Sequence, residues 1–204
     1  MLLKSFSPIF FYHLAEPANL ESIRLHGLLS AEQLMKLALI EGRELKEALG
    51  RHRTDNVVLP NGVIIRDQSP MPPRSLAPAL PPCVVPSDWY RFLNGFVFLW
   101  ATQERLRRHL AAFRKRSQTL LVFDAVRLIK ERGDDLLLSP INSGNAMRRA
   151  APRSYELFVP YPEWREKGWP VIGGQVRSKS TVPAEIAIRK YLPLTPYLLE
   201  VREC

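Results

Sequence analysis

Proline is concentrated between Ser69 and Pro86, and this segment limits the folds open to the chain. Seven of its eighteen residues are proline. Proline has no backbone N–H and a fixed φ, so a run this dense predicts neither a helix nor a central strand. We expect 69–86 to run extended over the surface as a long covering loop. A domain linker is the alternative, but neither flank has the pattern of a complete domain, so we predict a single domain over 1–204.

The chain before this segment is predicted to be rich in helices. The apolar run Ile9–Leu14 is typical of a buried strand. Asn19 is a good N-cap for a short helix that Gly27 closes, and Ser30 begins the capping box of a second helix. Asn61-Gly62, between two apolar runs, predicts a hairpin.

The chain after the segment is predicted to be rich in strands. A short helix capped by Ser87 or Asp88 comes first, and Asp124 is the predicted cap of a later helix. Strands are predicted at 96–100, 120–123, 155–159 and 182–188, and a basic helix at 103–116. The apolar run 136–138 leads into a polar loop at 139–144. Helices early and strands late predict an α+β fold rather than a doubly wound one.

Composition narrows the classes of partner. The formal net charge of +9 favours polyanions, either nucleic acid or a phosphorylated cofactor, although such a charge is also common without that role. Two cysteines and four histidines, without ligand spacing, predict no disulfide framework and no metal. The longest apolar run is too short for a membrane helix. We therefore expect a cytoplasmic protein with no membrane partner.

Common catalytic motifs are missing, which leaves polar residues at strand ends as candidates. The chain has no GxSxG, Walker A or GxGxxG sequence. His13 ends an apolar strand, where it either bonds the backbone or donates to a ligand hydroxyl. Glu185 alternates with apolar residues in 182–188. It is either a solvated carboxylate or one that faces a cleft, bonds a ribose hydroxyl and stabilises positive charge at an anomeric carbon.

Three further segments carry candidates. In 96–105, Phe98 and Trp100 are placed to stack on a ring, and Arg105 to hold a pyrophosphate near a helix N-terminus. Core packing and a solvated helix face explain the same residues. Arg66-Asp67-Gln68 and Ser139–Gly144 are turn sequences first, and functional loops second.

Several of these pieces resemble the DarT-like nucleic-acid ADP-ribosyltransferases. Tyr12-His13-Leu14 with Asn19-Leu20 and His26-Gly27-Leu28 resembles the first motif, a histidine-bearing strand before a short helix that ends in a Gly-Leu turn. The segment 97–105 is similar to the aromatic strand with a downstream arginine, without the family's Asn-Pro-Arg context. The segment 184–188 is similar to the late strand that bears the catalytic glutamate. Residues 66–71 and 139–144 resemble a related, uncharacterised bacterial family of about this length.

The resemblance implies a split mixed sheet flanked by helices, with NAD⁺ in the cleft. His13 would contact the adenosine ribose, and Trp100 or Tyr12 would stack on a ring. Arg105 would engage phosphate and Glu185 would support the reacting ribose, which makes these two the predicted catalytic residues. The other residues that we assign to cofactor binding are Asn19 and Arg66.

The activity that follows is transfer of ADP-ribose from NAD⁺ to a nucleic acid, with DNA favoured over RNA, or to a protein. The predicted phosphate contacts of the acceptor are Arg107, Arg108, Arg114, Lys115 and Arg116. The proline-rich segment would cover the cofactor and exclude water. Two alternatives stay open: a non-catalytic nucleic-acid-binding module, and an NAD⁺-dependent enzyme like RNA 2′-phosphotransferase. A toxin–antitoxin setting, with a neutralising partner protein, is a further expectation.

Overall fold

An antiparallel sheet of seven strands forms the centre of the α+β fold. The structure, a computed structural model, describes residues 6–66, 70–112, 116–145 and 150–204. The strands are β1 (Phe10–Ala15), β2 (Leu28–Leu29), β3 (Val57–Val58), β4 (Ile64–Ile65), β5 (Phe96–Trp100), β6 (Thr119–Asp124), β7 (Leu136–Ser139), β8 (Val159–Pro160), β9 (Glu185–Arg189), β10 (Tyr191–Leu192) and β11 (Leu198–Glu203).

Eight α-helices are formed by the described residues. They are α1 (Leu20–His26), α2 (Ala31–Leu37), α3 (Gly42–Gly50), α4 (Pro73–Leu76), α5 (Pro86–Asn94), α6 (Gln103–Ala112), α7 (Ala125–Arg132) and α8 (Tyr161–Lys167). The hairpin β3–β4 and the pair β2–β10 form two small sheets beside the large one.

The large sheet has the strand order β11-β6-β1-β5-β9-β7-β8. Every pairing within it is antiparallel. The expected mixed sheet is therefore wrong. That expectation came from the resemblance, and apolar alternation along a strand does not specify the direction of its neighbour.

The sheet opens between β1 and β5. Strand β1 pairs with β6 at six positions, and β5 pairs with β9 at five. Between β1 and β5 the register holds only Tyr12 opposite Trp100. Beyond that pair the His13 side chain bridges the gap, because its Nδ1 lies 2.9 Å from the carbonyl oxygen of Phe98. One half of the sheet is thus β11-β6-β1 and the other is β5-β9-β7-β8.

Alternation along the strands builds a core on each face of the sheet. One face contributes Phe11, Leu99 and Ile186 to the largest cluster, which continues into α7 through Leu128. The opposite face carries two separate clusters. Tyr12 and its neighbours pack on α6, whereas Phe96 and Ala187 pack on α5. The two strands predicted at 96–100 and 120–123 are confirmed, since they supply these faces as β5 and β6, whereas β7 was not predicted.

Several local signals also hold. Gly27 closes α1 with φ 77°, and Ser30 Oγ accepts from the Gln33 backbone N–H at 3.3 Å. The Asn61-Gly62 turn joins β3 to β4, and Asp124 Oδ1 accepts from the Arg127 N–H at the start of α7. The described part of the basic helix is α6, which ends at Ala112.

The proline-rich segment does not run extended, so that prediction is wrong for its described part, which begins at Pro70. It contains α4, a 3-10 helix at Ala77–Ala79 and the start of α5. Prolines occupy the first turn of each helix, where no backbone N–H donor is needed. Leu76 is 1% exposed and packs against Trp89, so the segment belongs to the core.

Other differences concern caps and strand boundaries. Val85, not Ser87 or Asp88, is the N-cap of α5, and Asp88 Oδ2 accepts its N–H. The strand predicted at 155–159 is a 3-10 helix followed by β8. The last predicted strand begins at Glu185 rather than at 182. Strands β10 and β11 were not predicted; β11 is largely exposed, so it lacks an apolar pattern.

Candidate functional site

A cavity of about 280 Å³ lies where β1 and β5 separate. His13 and Glu16 line it from the β1 side, Trp100 from β5 and Glu185 from β9. Residues of α1, β2, α2, β4, α5 and the loop Asn142–Asn145 form further parts of the wall. This volume is near the lower end of the roughly 300–1,000 Å³ of small-molecule pockets. The sheet opening therefore brings the predicted imidazole and carboxylate to the wall of one cavity.

Glu185 is the buried acid of this cavity. It is the first residue of β9, opposite Trp100 on β5 and Ser139 on β7, and it is 5% exposed. Its Oε2 accepts a hydrogen bond from the Ser143 backbone N–H at 3.0 Å. The sequence left two interpretations of Glu185 open. The one in which Glu185 is a solvated surface carboxylate is wrong. The neighbouring strands and the Ser143 N–H hold the carboxylate in one orientation.

Burial gives Glu185 an unusual acidity. Loss of solvation raises the pKa of Glu185 to about 7, against the opposing effects of the Ser143 hydrogen bonds and of Arg105 and Arg153. Near neutral pH the carboxylate and the carboxylic acid are therefore both populated. A group with this property in a cavity is suited to stabilising or exchanging charge.

This acidity predicts a pH-dependent stability. The folded protein holds a proton on Glu185 between about pH 4.5 and 7, where the unfolded chain has lost it, so stability falls as the pH rises through this window. We expect Glu185→Gln to raise the free energy of unfolding at about pH 8 by up to roughly 3 kcal/mol. The gain should vanish near pH 4.5. Urea unfolding at several pH values measures this difference.

The control for this prediction is Glu44→Gln, which changes an exposed carboxylate on α3. Its effect on unfolding should be small and nearly constant with pH. If Glu185→Gln behaved like Glu44→Gln across the window, the burial of Glu185 would not be limiting its ionisation.

His13 lines the cavity in a defined tautomer. Because a carbonyl oxygen only accepts, the contact with Phe98 makes Nδ1 the N–H donor. Burial lowers the pKa of His13, and the positive charge of Arg66 acts in the same direction. A neutral ring leaves Nε2 as an acceptor. The expectation that His13 donates to a ligand hydroxyl is replaced by one in which Nε2 accepts from it.

Of the predicted stacking residues, the structure brings Trp100 to the cavity wall and not Tyr12. Tyr12 is 7% exposed and packs with Leu106 of α6. Trp100 lies beside His109, with ring centroids 5.3 Å apart. Burial lowers the pKa of His109 to about 4, assisted by Arg66 and His13, so the ring beside Trp100 is neutral.

Arg105 lies outside the cavity wall. It is in the first turn of α6, where its N–H is capped by Thr102 Oγ1 at 3.3 Å. Burial lowers the pKa of Arg105, whereas the negative charge of Glu185 opposes this shift. The guanidinium therefore acts electrostatically on Glu185. The arginines that do line the cavity are Arg51, Arg53 and Arg66.

Glu16, which lines the cavity, pairs with two arginines. Its carboxylate forms ion pairs with Arg66, at 3.8 Å, and with Arg116. Arg66 also donates to Gln118. Burial and the nearby Arg116 lower the pKa of Arg66 to about 10, so it remains a cation at neutral pH.

Asn19 also lines the cavity, but its side chain serves the fold. Its amide nitrogen donates to the Ile64 carbonyl oxygen at 2.7 Å, and its amide oxygen accepts from the Ile64 N–H at 2.8 Å. The side chain therefore fixes the β3–β4 hairpin and does not cap α1.

Of the five predicted nucleic-acid contacts, the structure describes Arg107, Arg108 and Arg116. Arg107 and Arg108 are exposed on α6, where they bond Gln103 and Glu104 one turn earlier. Arg116 is paired with Glu16 near the cavity. Arg114 and Lys115 lie outside the described residues, as do Asp67, Gln68 and Ser69.

The site residues that sequence reasoning missed include Arg153 and Ser143, both near Glu185. Arg153 is 2% exposed and lies close enough to Glu185 to affect its pKa. Ser143 belongs to a loop that was singled out, but its bond to Glu185 spans 42 positions. No spacing rule links either residue to β9; a buried arginine in a strand-poor segment gives no signal of its own.

Metal ligation and membrane insertion are two further properties of the described residues. Across these residues no three His, Cys, Asp or Glu side chains are grouped to hold a metal ion. No helix formed by them has the length and apolar character to cross a membrane. Cys83 and Cys204 are both free and exposed.

The comparisons with known proteins identify a family but not an activity. No curated protein and no solved structure matches the chain. One family model, described as a family of unknown function (DUF7002), matches residues 10–196, which span β1 to the segment before β11. The match includes every residue that we find in the cavity wall. The chain therefore belongs to the DUF7002 family.

Proposed function

We propose that the protein is an ADP-ribosyltransferase that cleaves NAD⁺ and transfers ADP-ribose to a nucleic acid, with DNA favoured over RNA as the acceptor. The observation that carries this proposal is the position of Glu185. It is a buried carboxylate held by Ser143, in a cavity that it shares with Trp100 and His13. The β1, β5 and β9 segments resemble motifs of DarT-like enzymes. This resemblance implies roles in NAD⁺ binding and catalysis for His13, Trp100 and Glu185, which lie on these three strands.

The chemistry needs a fixed negative charge. Cleavage of the bond between nicotinamide and ribose leaves the bonding electrons on nicotinamide and positive charge at the anomeric carbon. A carboxylate within hydrogen-bond reach of this centre lowers the barrier. A nucleophilic atom of the acceptor then bonds to the anomeric carbon and loses its proton. Glu185 in its ionised form supplies the charge, and its neighbours prevent it from turning away.

Other cavity residues account for the rest of the dinucleotide. Trp100 offers a ring face for stacking, and His13 Nε2 accepts a hydrogen bond from a ribose hydroxyl. Arg51, Arg53 and Arg66 provide positive charge for the pyrophosphate in place of Arg105. The cavity wall thus offers cations for the phosphates and a buried carboxylate for the reacting ribose.

A second candidate function follows from the same arginines. An NAD⁺-dependent enzyme like RNA 2′-phosphotransferase must bind a phosphate with several basic residues. Arg51, Arg53 and Arg66 line one cavity with His13, which provides such a set. The two candidates differ in the acceptor: the first modifies an ordinary nucleic acid, and the second removes a 2′-phosphate from RNA.

The test is incubation of the purified chain with NAD⁺ labelled on the adenine, together with single- and double-stranded DNA, RNA, 2′-phosphorylated RNA or protein. We expect release of nicotinamide and transfer of the label to DNA. Loss of phosphate from 2′-phosphorylated RNA alone would favour the second candidate. Salt-sensitive binding of nucleic acid, without NAD⁺ consumption or calorimetric NAD⁺ binding, would replace both with the non-catalytic binding module.

A further inference from the structure

We propose that Arg153 is a positioning residue for Glu185: it fixes the loop Asn142–Asn145 so that Ser143 holds the carboxylate towards the cavity. The inference rests on the proposed function for its catalytic meaning. Its structural content, a relay from Arg153 through Ser143 to Glu185, stands on contacts alone.

Backbone carbonyls surround the Arg153 guanidinium. Its Nε donates to Ser143 O at 3.2 Å, and Nη2 donates to Asn142 O and Asn145 O at 3.2 Å each. Nη1 donates to Ala151 O at 2.6 Å. Three of the four acceptors belong to the loop that also lines the cavity. One side chain therefore holds three carbonyls of a four-residue loop that forms no strand or helix.

The loop, held in this way, fixes the orientation of the Glu185 carboxylate. The carbonyl of Ser143 is held by Arg153 and by Trp89 Nε1 at 3.3 Å, while its N–H donates to Glu185 Oε2. The Asn142 carbonyl and the Ser143 N–H belong to one planar peptide group, so the hydrogen bond from Arg153 Nη2 to Asn142 O fixes the direction of the N–H. Loop bonds from the Gly144 and Asn145 N–H groups to Asn142 Oδ1 tighten the same turn.

Charge explains why an arginine is needed there. A buried cation is costly without a nearby anion. Among the described residues Arg153 makes no carboxylate contact within ion-pair distance, and Glu185 is the acid whose charge affects it. The guanidinium and the carboxylate therefore compensate each other across Ser143. A neutral side chain of similar volume would fill the space but would leave Glu185 with less support.

The test uses two variants: Arg153→Lys, which keeps the charge but cannot reach four carbonyls, and Asn142→Ala, which removes the side-chain oxygen that accepts from the Gly144 and Asn145 N–H groups. The carboxyl carbon of Glu185 is titrated by NMR, and the pH profile of nicotinamide release is recorded. We expect Arg153→Lys to raise both midpoints by about one pH unit, because the carboxylate loses donors. Nicotinamide release at pH 7 should fall about fivefold, because the ionised fraction falls from about one half to about one tenth. The KM for NAD⁺ should stay within about twofold, and activity should recover at high pH.

Arg132→Lys, in an exposed pair with Asp135, is the matched control and should shift neither midpoint. A folded Arg153→Lys protein with unchanged midpoints would overturn the inference. If that variant does not fold, the decision passes to Asn142→Ala, which loosens the same loop: a higher Glu185 midpoint supports the relay, and an unchanged one refutes it. The NMR titration needs no NAD⁺. A shifted titration without NAD⁺ consumption would reject the proposed function and retain the relay.

Discussion

Replacing Glu185 with glutamine is expected to lower nicotinamide release from NAD⁺ at least about 100-fold, the scale of losing one preorganised charge in an active site. Glutamine keeps the oxygen that accepts from Ser143, so the cavity should retain its shape. It cannot carry the negative charge that opposes the developing cation. Chromatographic measurement of nicotinamide gives the rates, and NAD⁺ affinity from calorimetry should change much less.

The pH dependence provides a second reading of the same residue. Because the pKa of Glu185 is raised to about 7, the active carboxylate form increases as the pH rises through that value. Turnover of the native chain should therefore rise across this range and then level off. Glu44→Gln, on the surface, should match the native rate. Equal turnover by Glu185→Gln would remove Glu185 from the reaction.

Gly27→Ala is expected to destabilise the fold by about 3 kcal/mol or more. Gly27 has φ 77° and ψ −171°, a conformation nearly confined to glycine. A Cβ there would lie 2.6 Å from the Leu192 carbonyl oxygen and 3.2 Å from the Pro193 Cα. Both are backbone atoms, so relief requires β2 to move away from β10. Urea or guanidinium unfolding measures the loss.

Gly62→Ala separates strain from collision. Gly62 also has a positive φ, 81°, but a Cβ there would meet no atom within 4 Å. Its cost should be the backbone strain alone, about 1 kcal/mol. Equal losses in the two variants would show that the contact with Leu192 is not what makes glycine necessary at position 27.

Sequence patterns predicted the elements that carry their own signal. The apolar runs of β1, β5 and β6 are buried on at least one face and read directly as strands. The Gly27 and Asp124 termini follow from local backbone chemistry. The exposed β11 and the short β10 gave no pattern, because edge strands need no buried side chains. The prolines led us to predict an extended segment, which is wrong for a local reason. They lie in the first turns of helices, where proline is tolerated.

The same sequence patterns predicted only part of the candidate site. His13 and Glu185 lie on strands, so alternation and position singled them out. Arg153 could not be found, because its role depends on carbonyls of a loop that folds back on it. Arg51 and Arg53 reach the cavity only through the packing of α3 against α5. The sequence led us to place Arg105 beside the cofactor phosphates. The residues around it on α6 do not indicate which side of the helix faces the cavity.

The near absence of paired backbone between β1 and β5 has a consequence for cohesion. Elsewhere in this sheet, neighbouring strands hold one another without help from side chains. At this line the sheet is held by the His13 side chain and by the apolar cluster that contains Phe11 and Leu99. A bound molecule that touches both His13 and Glu185 would therefore add contacts between two halves whose backbones pair at a single position, and recognition would also reinforce the sheet.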